Sequence, residues 1–356
     1  MNIKVPTLLI DEEKCRKNIR KMAEKTFKAK ATLRPHFKTH HSATIAGWYR
    51  ELGVSQCTVS SVSMANYFAG HGWKDITIAF PYNPLESAEI NALAGKVNLN
   101  ILLESNESVI HAKENLENKA GYFVKIDVGT HRTGIDPEDE DLISDVVNAC
   151  GEKFAFRGFL AHVGHTYGPG TTENSQDIFD QTEKILIPLR KKFGGILSYG
   201  DTPSCSMVEN LSTYDELRPG NFIFYDWMQH KIGACTIDEV AICMAAPVVA
   251  VHPKRKEVII YGGAVHLSTD FLPTKSGKCF GKVVRLTTNG WDTALIGSVN
   301  RLSQEHGIIR LSEKSINDVK FGDTIGVIPI HSCLTADIQG HYLSTNGKRI
   351  EKIAKV

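Results

Sequence analysis

The sequence predicts an α/β protein, a parallel (β/α)8 TIM barrel followed by a C-terminal β-rich domain. Three observations predict it. Eight apolar, β-rich runs recur along the first two thirds of the chain, with room for a helix between successive runs. From about residue 236 the texture changes to strand-like runs punctuated by NG, GG and GD turns, without clear helical periodicity. The 356 residues also suit one barrel of about 250 residues with an appended module.

A first strand in "TLLID" and an amphipathic helix near 11–25 open the chain. The barrel runs are "KATLRPHFK", "SQCTVSS", "DITIAF", "NLNILLES", "YFVKID", "FRGFLAH", "GGILSYGD" and "NFIFYD". They end near Lys38, Ser60, Phe80, Glu104, Asp127, His162, Gly200 and Asp226. Spacers such as "SATIAGWYRELG" and "SMANYFAGHG" are long enough for helices. A strand that precedes barrel strand one has no place in a closed barrel, so "TLLID" is expected to join the β domain. The expected domains are therefore 12–235 for the barrel and 236–356, together with strand 1–11, for the β domain.

Composition narrows the function classes. Lys and Arg total 41 against 40 Asp and Glu, so no net field favours nucleic acid or an anionic membrane, and a small molecule is the expected partner. Eight cysteines are scattered without CxxC pairs, which disfavours a zinc ribbon and suits a reducing cytoplasm. The N-terminus has neither the apolar stretch of a secretory signal nor that of a spanning helix, and no later window reaches about 18 apolar residues. A cytoplasmic, non-membrane protein is expected.

In a (β/α)8 barrel the catalytic groups come from the C-terminal ends of the strands, where the loops converge. Those ends carry Lys38 with His36, "DVGTHRTG" at 127–134, "HVGHTYG" at 162–168, "SYGDTPS" at 198–204, and Tyr225 with Asp226. The "GDTPS" loop opens towards a helix with hydroxyls and free backbone N–H groups. By itself it reads as an ordinary N-cap or as a phosphate site, and its position after strand seven favours phosphate. Lys38, which alone would read as a solvated lysine, then meets the second requirement of pyridoxal phosphate: an amine at one end of the ring and a phosphate anchor at the other.

In "IPIHSCLTAD", His331 and Cys333 stand at i and i+2 on an expected strand end, so both side chains point to one face. By spacing alone, a buried thiol beside a polar histidine is the favoured reading, although imidazole with thiolate also suits zinc. His36, His40 and His41 offer a competing metal cluster. A strand end turning into helix would aim those rings apart, so His36 is assigned to the cofactor pocket.

Together, "PTLLIDEEKCRKNIRKMA", "RPHFKTHH", "KIDVGTHRTG", "HVGHTYG", "GDTPS", "RPGNFIFYD", "SQEHG" and "PIHSCLTAD" resemble the fold-type III pyridoxal phosphate enzymes. The likeness is to the D-threonine aldolase and D-serine dehydratase branch of the alanine racemase superfamily, and it runs over nearly the full chain. The resemblance implies that Lys38 holds the cofactor covalently and that Arg132 faces the ring hydroxyl. It places Tyr167 near the pyridine nitrogen and assigns Gly200, Asp201 and Thr202 to the phosphate. His36, His165 and Tyr225 complete the expected cofactor pocket. The family commonly has a small residue before that arginine, where this chain has His131.

The resemblance further implies that His331 and Cys333 hold a divalent ion, with zinc expected and manganese the other candidate. It also implies a homodimer acting on a small-molecule D-amino acid. The expected activity is a lyase that dehydrates a β-hydroxy-D-amino acid, D-serine to pyruvate and ammonia, because a His-x-Cys pair resembles the dehydratase side whereas His-x-Asp looks more like the bacterial aldolases. The alternative is D-threonine aldolase, which releases glycine and an aldehyde. An amino-acid racemase ranks below both, and a non-catalytic cofactor carrier would lack the β domain.

Overall fold

The computed structural model describes residues 3–149, 151, 153–167, 175–275 and 277–354. Gly168 of "HVGHTYG" and Cys150 lie outside the described residues. Contacts divide the chain into two compact units, one of Arg20–Lys38 and Ile45–Gly220, the other of Met1–Ile19, Thr39–Thr44 and Asn221–Val356.

The first unit is a parallel barrel. Its strands are β2 (Thr32–Leu33), β3 (Gln56–Val59), β4 (Asp75–Pro81), β5 (Asn98–Leu103), β6 (Ala120–Lys125), β7 (Phe154–His162), β8 (Ile196–Gly200) and β9 (Glu216–Leu217), after β1 (Thr7–Ile10) of the other unit. They lie in the order β2-β9-β8-β7-β6-β5-β4-β3, all parallel. A single parallel bridge between His36 and Thr58 spans the remaining seam between β2 and β3. The helices are α1 (Glu12–Lys28) and α2 (Ala43–Arg50), whose first residues are counted in the other unit, and α3 (Val62–Gly70), α4 (Ser87–Ala94), α5 (Asn106–Asn115), α6 (Glu140–Asn148), α7 (Ser175–Phe193) and α8 (Thr202–Met207). Side-chain caps begin α3 at Ser61, α5 at Ser105 and α6 at Asp139, each satisfying an N–H that the first helical turn leaves open.

Strands buried on both faces read as unbroken apolar runs, and all six residues of β6 are buried. Leu102, Phe123 and Leu160 form one layer of the core, with Ala79 and Ile196 packed against it. Two strands depart from the expectation. "KATLRPHFK" is a strand only over Thr32–Leu33, after which Pro35 and the turn at Phe37–Thr39 take over. "NFIFYD" is no strand: Asn221–Ile223 is a turn of 3-10 helix, and the N–H groups of Phe224 and Tyr225 both bond the Asn221 carbonyl. The eighth strand is Glu216–Leu217 instead, paired on one side with β8 and on the other with β2.

Polar groups close what the short strands do not. Arg34 is buried and donates to Glu216 Oε2 and Asp75 Oδ1, both at 2.5 Å. Glu216 Oε1 accepts from Ser198 at 2.6 Å, and Ser198 in turn accepts from Arg218 Nε at 2.7 Å. Arg34 thus sits between two carboxylates, and Arg218 reaches the buried Glu216 through Ser198. Removing one partner from a buried pair leaves an uncompensated charge, so Glu216→Ala is expected to cost about 3–5 kcal/mol, read as a lowered urea midpoint. An unchanged midpoint would mean that both arginines find other partners.

The second unit is built on a nine-stranded sheet. After α9 (Trp227–Ile232) come β10 (Ile242–His252), β11 (Glu257–Tyr261), α10 (Ala264–Leu267) and the small hairpin of β12 (Leu272–Thr274) and β13 (Gly277–Cys279). Then follow β14 (Gly281–Thr287), β15 (Gly290–Leu302), β16 (His306–Leu311), α11 (Glu313–Ile316), β17 (Thr324–Pro329), α12 (Ser332–Ile338), β18 (His341–Ser344) and β19 (Arg349–Glu351). The order is β11-β16-β15-β14-β17-β10-β1-β18-β19. β1 pairs antiparallel with β10 and parallel with β18, and Leu8, Leu9 and Ile10 are buried. Short helices interrupt a region whose sequence shows no helical period. Among the described residues, no helix is long and apolar enough to cross a membrane.

Candidate active site

Lys38 occupies a one-turn 3-10 helix, Phe37–Thr39, at the C-terminal end of β2. Phe37 fixes that turn. It is fully buried, with ring centroids 4.8 Å from Phe68, 4.8 Å from Trp73 and 5.4 Å from Tyr49. His36 Nδ1 accepts the Lys38 backbone N–H at 3.4 Å. His36 therefore shapes the turn that presents the lysine.

Across the same unit, His162 closes β7 with Nδ1 2.7 Å from the Gly200 carbonyl, which fixes Nδ1 as the protonated nitrogen. Burial, together with the charges of Lys38, Arg132 and Arg218, depresses its pKa to about 3. The imidazole is neutral at physiological pH. The charges of Lys38, Arg132 and Arg218 all reach this one ring.

The loop after β6 is built by Asp127, whose Oδ1 accepts the N–H groups of Gly129, Thr130 and His131, each at 3.0 Å. His131 takes a left-handed φ of 51°, with Nδ1 3.2 Å from Asp127 Oδ2. The departure at this position thus serves the loop that presents Arg132. Gly134 closes it at φ 111°, where a Cβ would sit 2.6 Å from the Asp127 nitrogen. His165 lies in the turn Gly164–Tyr167, its Nδ1 3.3 Å from Thr130 Oγ1.

Asp201 caps α8, taking Ser204 N–H at 2.8 Å, Ser204 Oγ at 2.9 Å and Thr166 Oγ1 at 2.7 Å. Burial raises its pKa to about 6. Its oxygens are committed, so the side chain shapes the loop, while the Thr202 N–H donates to Tyr167 Oη at 3.2 Å. A hydroxyl and a backbone N–H thus meet beside Gly200, the donor chemistry that a phosphate needs. With Lys38 and Arg132 in the same unit, these residues fit pyridoxal phosphate.

His331 and Cys333 belong to the other unit, and their backbone differs from the expected strand end. β17 stops at Pro329; His331 is the N-cap of α12, and Cys333 is its second residue. The cause is Asp226, whose Oδ2 takes the Ser332 N–H at 2.8 Å while Oδ1 takes the Gln229 N–H at 2.8 Å, so one carboxylate starts both α12 and α9. The imidazole and thiol still meet by a hydrogen bond. Burial opposes charge on His331, but Cys333, Asp226 and Asp270 outweigh it and raise the pKa to about 9. Asp270 Oδ2 is 3.7 Å from Nδ1. Around the sulfur lie Thr39 Oγ1 at 3.2 Å and Asn221 Nδ2 at 3.6 Å.

Imidazole with thiolate fits a borderline-soft divalent ion with positions left for water. Among the described residues, no group of three or more His, Cys, Asp or Glu side chains is placed to hold one, so the pair stands alone as protein donors. His40, His41 and His36 form no such cluster either: His40 is buried and accepts the Ser42 N–H, and His41 lies 3.8 Å from Asp337. Tyr225, in the same unit, is buried with φ 47°.

Several groups went unread. Lys125 is almost fully buried; burial, opposed by Glu104 and aided by Arg132 and Arg218, lowers its pKa to about 8. Its signal was a lone cation inside an apolar strand run. His162 stood in a quoted motif at a strand end. Asp226 was named at a strand end without a role, and Thr39 and Asn221 gave no signal beyond proximity in sequence to named residues.

Residues 10–226 match the model of the alanine racemase N-terminal domain, well over half the chain. The chain belongs to this family. In this alanine racemase-like chain, residues 241–345 also match a putative serine dehydratase domain, which contains His331 and Cys333. It is 28% identical to the D-serine dehydratase of Dictyostelium discoideum, over 96% of this chain and 93% of that one. It is 24% identical to the D-threo-3-hydroxyaspartate dehydratase of Delftia sp., over 94% and 92%. Among solved structures, an alanine racemase-like protein of Idiomarina loihiensis is similar at a TM-score of 0.88 and 26% identity, covering 100% of this chain and 98% of that one. The fold of this chain is accordingly alanine racemase-like.

Proposed function

We propose that this chain is a pyridoxal phosphate- and divalent metal-dependent lyase that dehydrates a β-hydroxy-D-amino acid, D-serine foremost, to a 2-oxo acid and ammonia. The observation that carries the reading is the meeting of His331 and Cys333 inside the stretch that matches the serine dehydratase domain. Support comes from the Delftia dehydratase, whose solved structures include mutants replacing a histidine and a cysteine two positions apart, the cysteine mutant in a metal-free form. His331 and Cys333 have that spacing.

When bound, pyridoxal phosphate supplies an electron sink that acidifies Cα, and a divalent ion supplies a Lewis acid for the β-hydroxyl. Lys38 would hold the cofactor covalently, and its amine is the base that takes the Cα proton. Arg132 would face the ring hydroxyl. Neutral His162, locked to the Gly200 carbonyl, holds the strand end that opens the Gly200–Asp201–Thr202 loop, which would hold the phosphate. His331 and Cys333 would hold the ion. Loss of Cα–H and of the β-hydroxyl, followed by hydrolysis of the enamine product in water, turns serine into pyruvate and ammonia. The proposal includes a homodimer and the cytoplasm; the seven described cysteines are all free, as suits a reducing compartment.

Product analysis tests it, with D-serine, D-threonine and D-3-hydroxyaspartate beside their L-enantiomers. The expected result is ammonia and a 2-oxo acid from a D-substrate. Dominant glycine with an aldehyde would transfer the activity to an aldolase. Turnover of L-substrates alone, or return of only the mirror-image amino acid, would overturn the reading.

A further inference from the structure

Asn221 is 3% exposed and belongs to the same unit as His331 and Cys333. Its Nδ2 lies 2.7 Å from Asp226 Oδ2, 2.9 Å from Ser332 Oγ and 3.6 Å from Cys333 Sγ. A carboxylate only accepts, so the amide atom facing Asp226 must be the donor nitrogen. Two hydrogens serve three acceptors: one goes to Asp226, and the other is shared by the serine oxygen and the cysteine sulfur. The other end of the amide is different. Oδ1 is buried and has no hydrogen-bond partner among the described residues. A buried acceptor with no donor is costly to leave unmet, so it marks a place where a further group belongs.

Resting on the proposed metal site, we propose that Asn221 is a positioning residue of the His331–Cys333 pair, holding the sulfur through Nδ2 and receiving through Oδ1 a hydrogen bond from a water on the ion. The side chain serves two ends of one job. Asp226 fixes the start of α12, and with it the backbone of Cys333, while Asn221 and Thr39 fix the sulfur itself. An aspartate could not substitute, because it would set a second carboxylate 2.7 Å from Asp226. Partners that orient a metal ligand typically contribute 10–100-fold to affinity.

The test measures zinc affinity by chelator competition on the holoenzyme, and the sulfur-to-metal charge-transfer band after cobalt replacement, for the wild type, Asn221→Ala, Asn221→Ser and Cys333→Ala. Both Asn221 variants are expected to bind zinc about 10–100-fold more weakly and to shift the cobalt band. Their visible cofactor absorbance should be retained. A merely structural role would leave the cobalt band in place. Unchanged affinity and an unmoved band in whichever Asn221 variant folds would overturn the proposal while leaving the metal site standing. If wild type bound zinc no better than Cys333→Ala, the metal reading would fail first and take this one with it.

Discussion

Lys38→Ala is expected to abolish the borohydride-sensitive visible absorbance of the purified protein and to reduce turnover by at least about 10²–10⁴-fold, the usual contribution of a positioned proton-transfer group. The turn that carries Lys38 is held by Phe37 in its pocket of Tyr49, Phe68 and Trp73, not by the lysine itself. The variant should therefore fold, and the melting temperature should stay close to that of the cofactor-free wild type. That separation makes the experiment clean. A variant that kept a reducible band of full strength would refute Lys38 as the cofactor's lysine, and Lys125, a buried amine of the barrel, would become the next residue to replace.

Removing the proposed ion should have an effect of similar size with the opposite spectral outcome. Cys333→Ala, or exhaustive chelation, is expected to lower kcat by about a thousand-fold, because a Lewis acid on a leaving oxygen contributes several kcal/mol. The visible band should persist, since the lysine and the phosphate donors belong to other residues. Zinc should restore the chelated wild type and leave Cys333→Ala inactive. Metal-free protein that dehydrated D-serine at full rate would reduce His331 and Cys333 to a half-buried polar pair and raise the standing of a racemase.

The barrel was legible where strands are buried on both faces. "ILL" at 101–103 and "YFV" at 122–124 are unbroken apolar runs because parallel strands here meet side chains on either side. The eighth strand was hidden for the converse reason. Glu216 and Leu217 make too short a run to show a period, and "NFIFYD" beside them imitates a strand because Phe222, Ile223 and Phe224 are fully buried in a turn. Burial reads out of composition; backbone conformation does not.

The chemistry followed the same division. Lys38, His331 and Cys333 were recognisable as residue types, and their neighbours in space were not. Thr39 and Cys333 are 294 positions apart, Asn221 and Cys333 112, and Asp226 and Ser332 106. The helix that replaces the expected strand end at His331 depends on the last of these contacts, and no local pattern carries it.

The seam between β2 and β9 also sets an order of events in time. Arg34 meets Glu216 across 182 positions, and β1 finds its partners only in β10 and β18. A nascent chain emerging at about 5–20 residues per second must therefore carry an unclosed barrel and an unpaired first strand through most of its synthesis. Pairings so distant form slowly, because chain entropy is lost before contacts compensate. Neither compact unit can be completed from the N-terminal half alone, so the growing chain exposes open sheet edges, the surfaces most prone to wrong association, until its final third has left the ribosome.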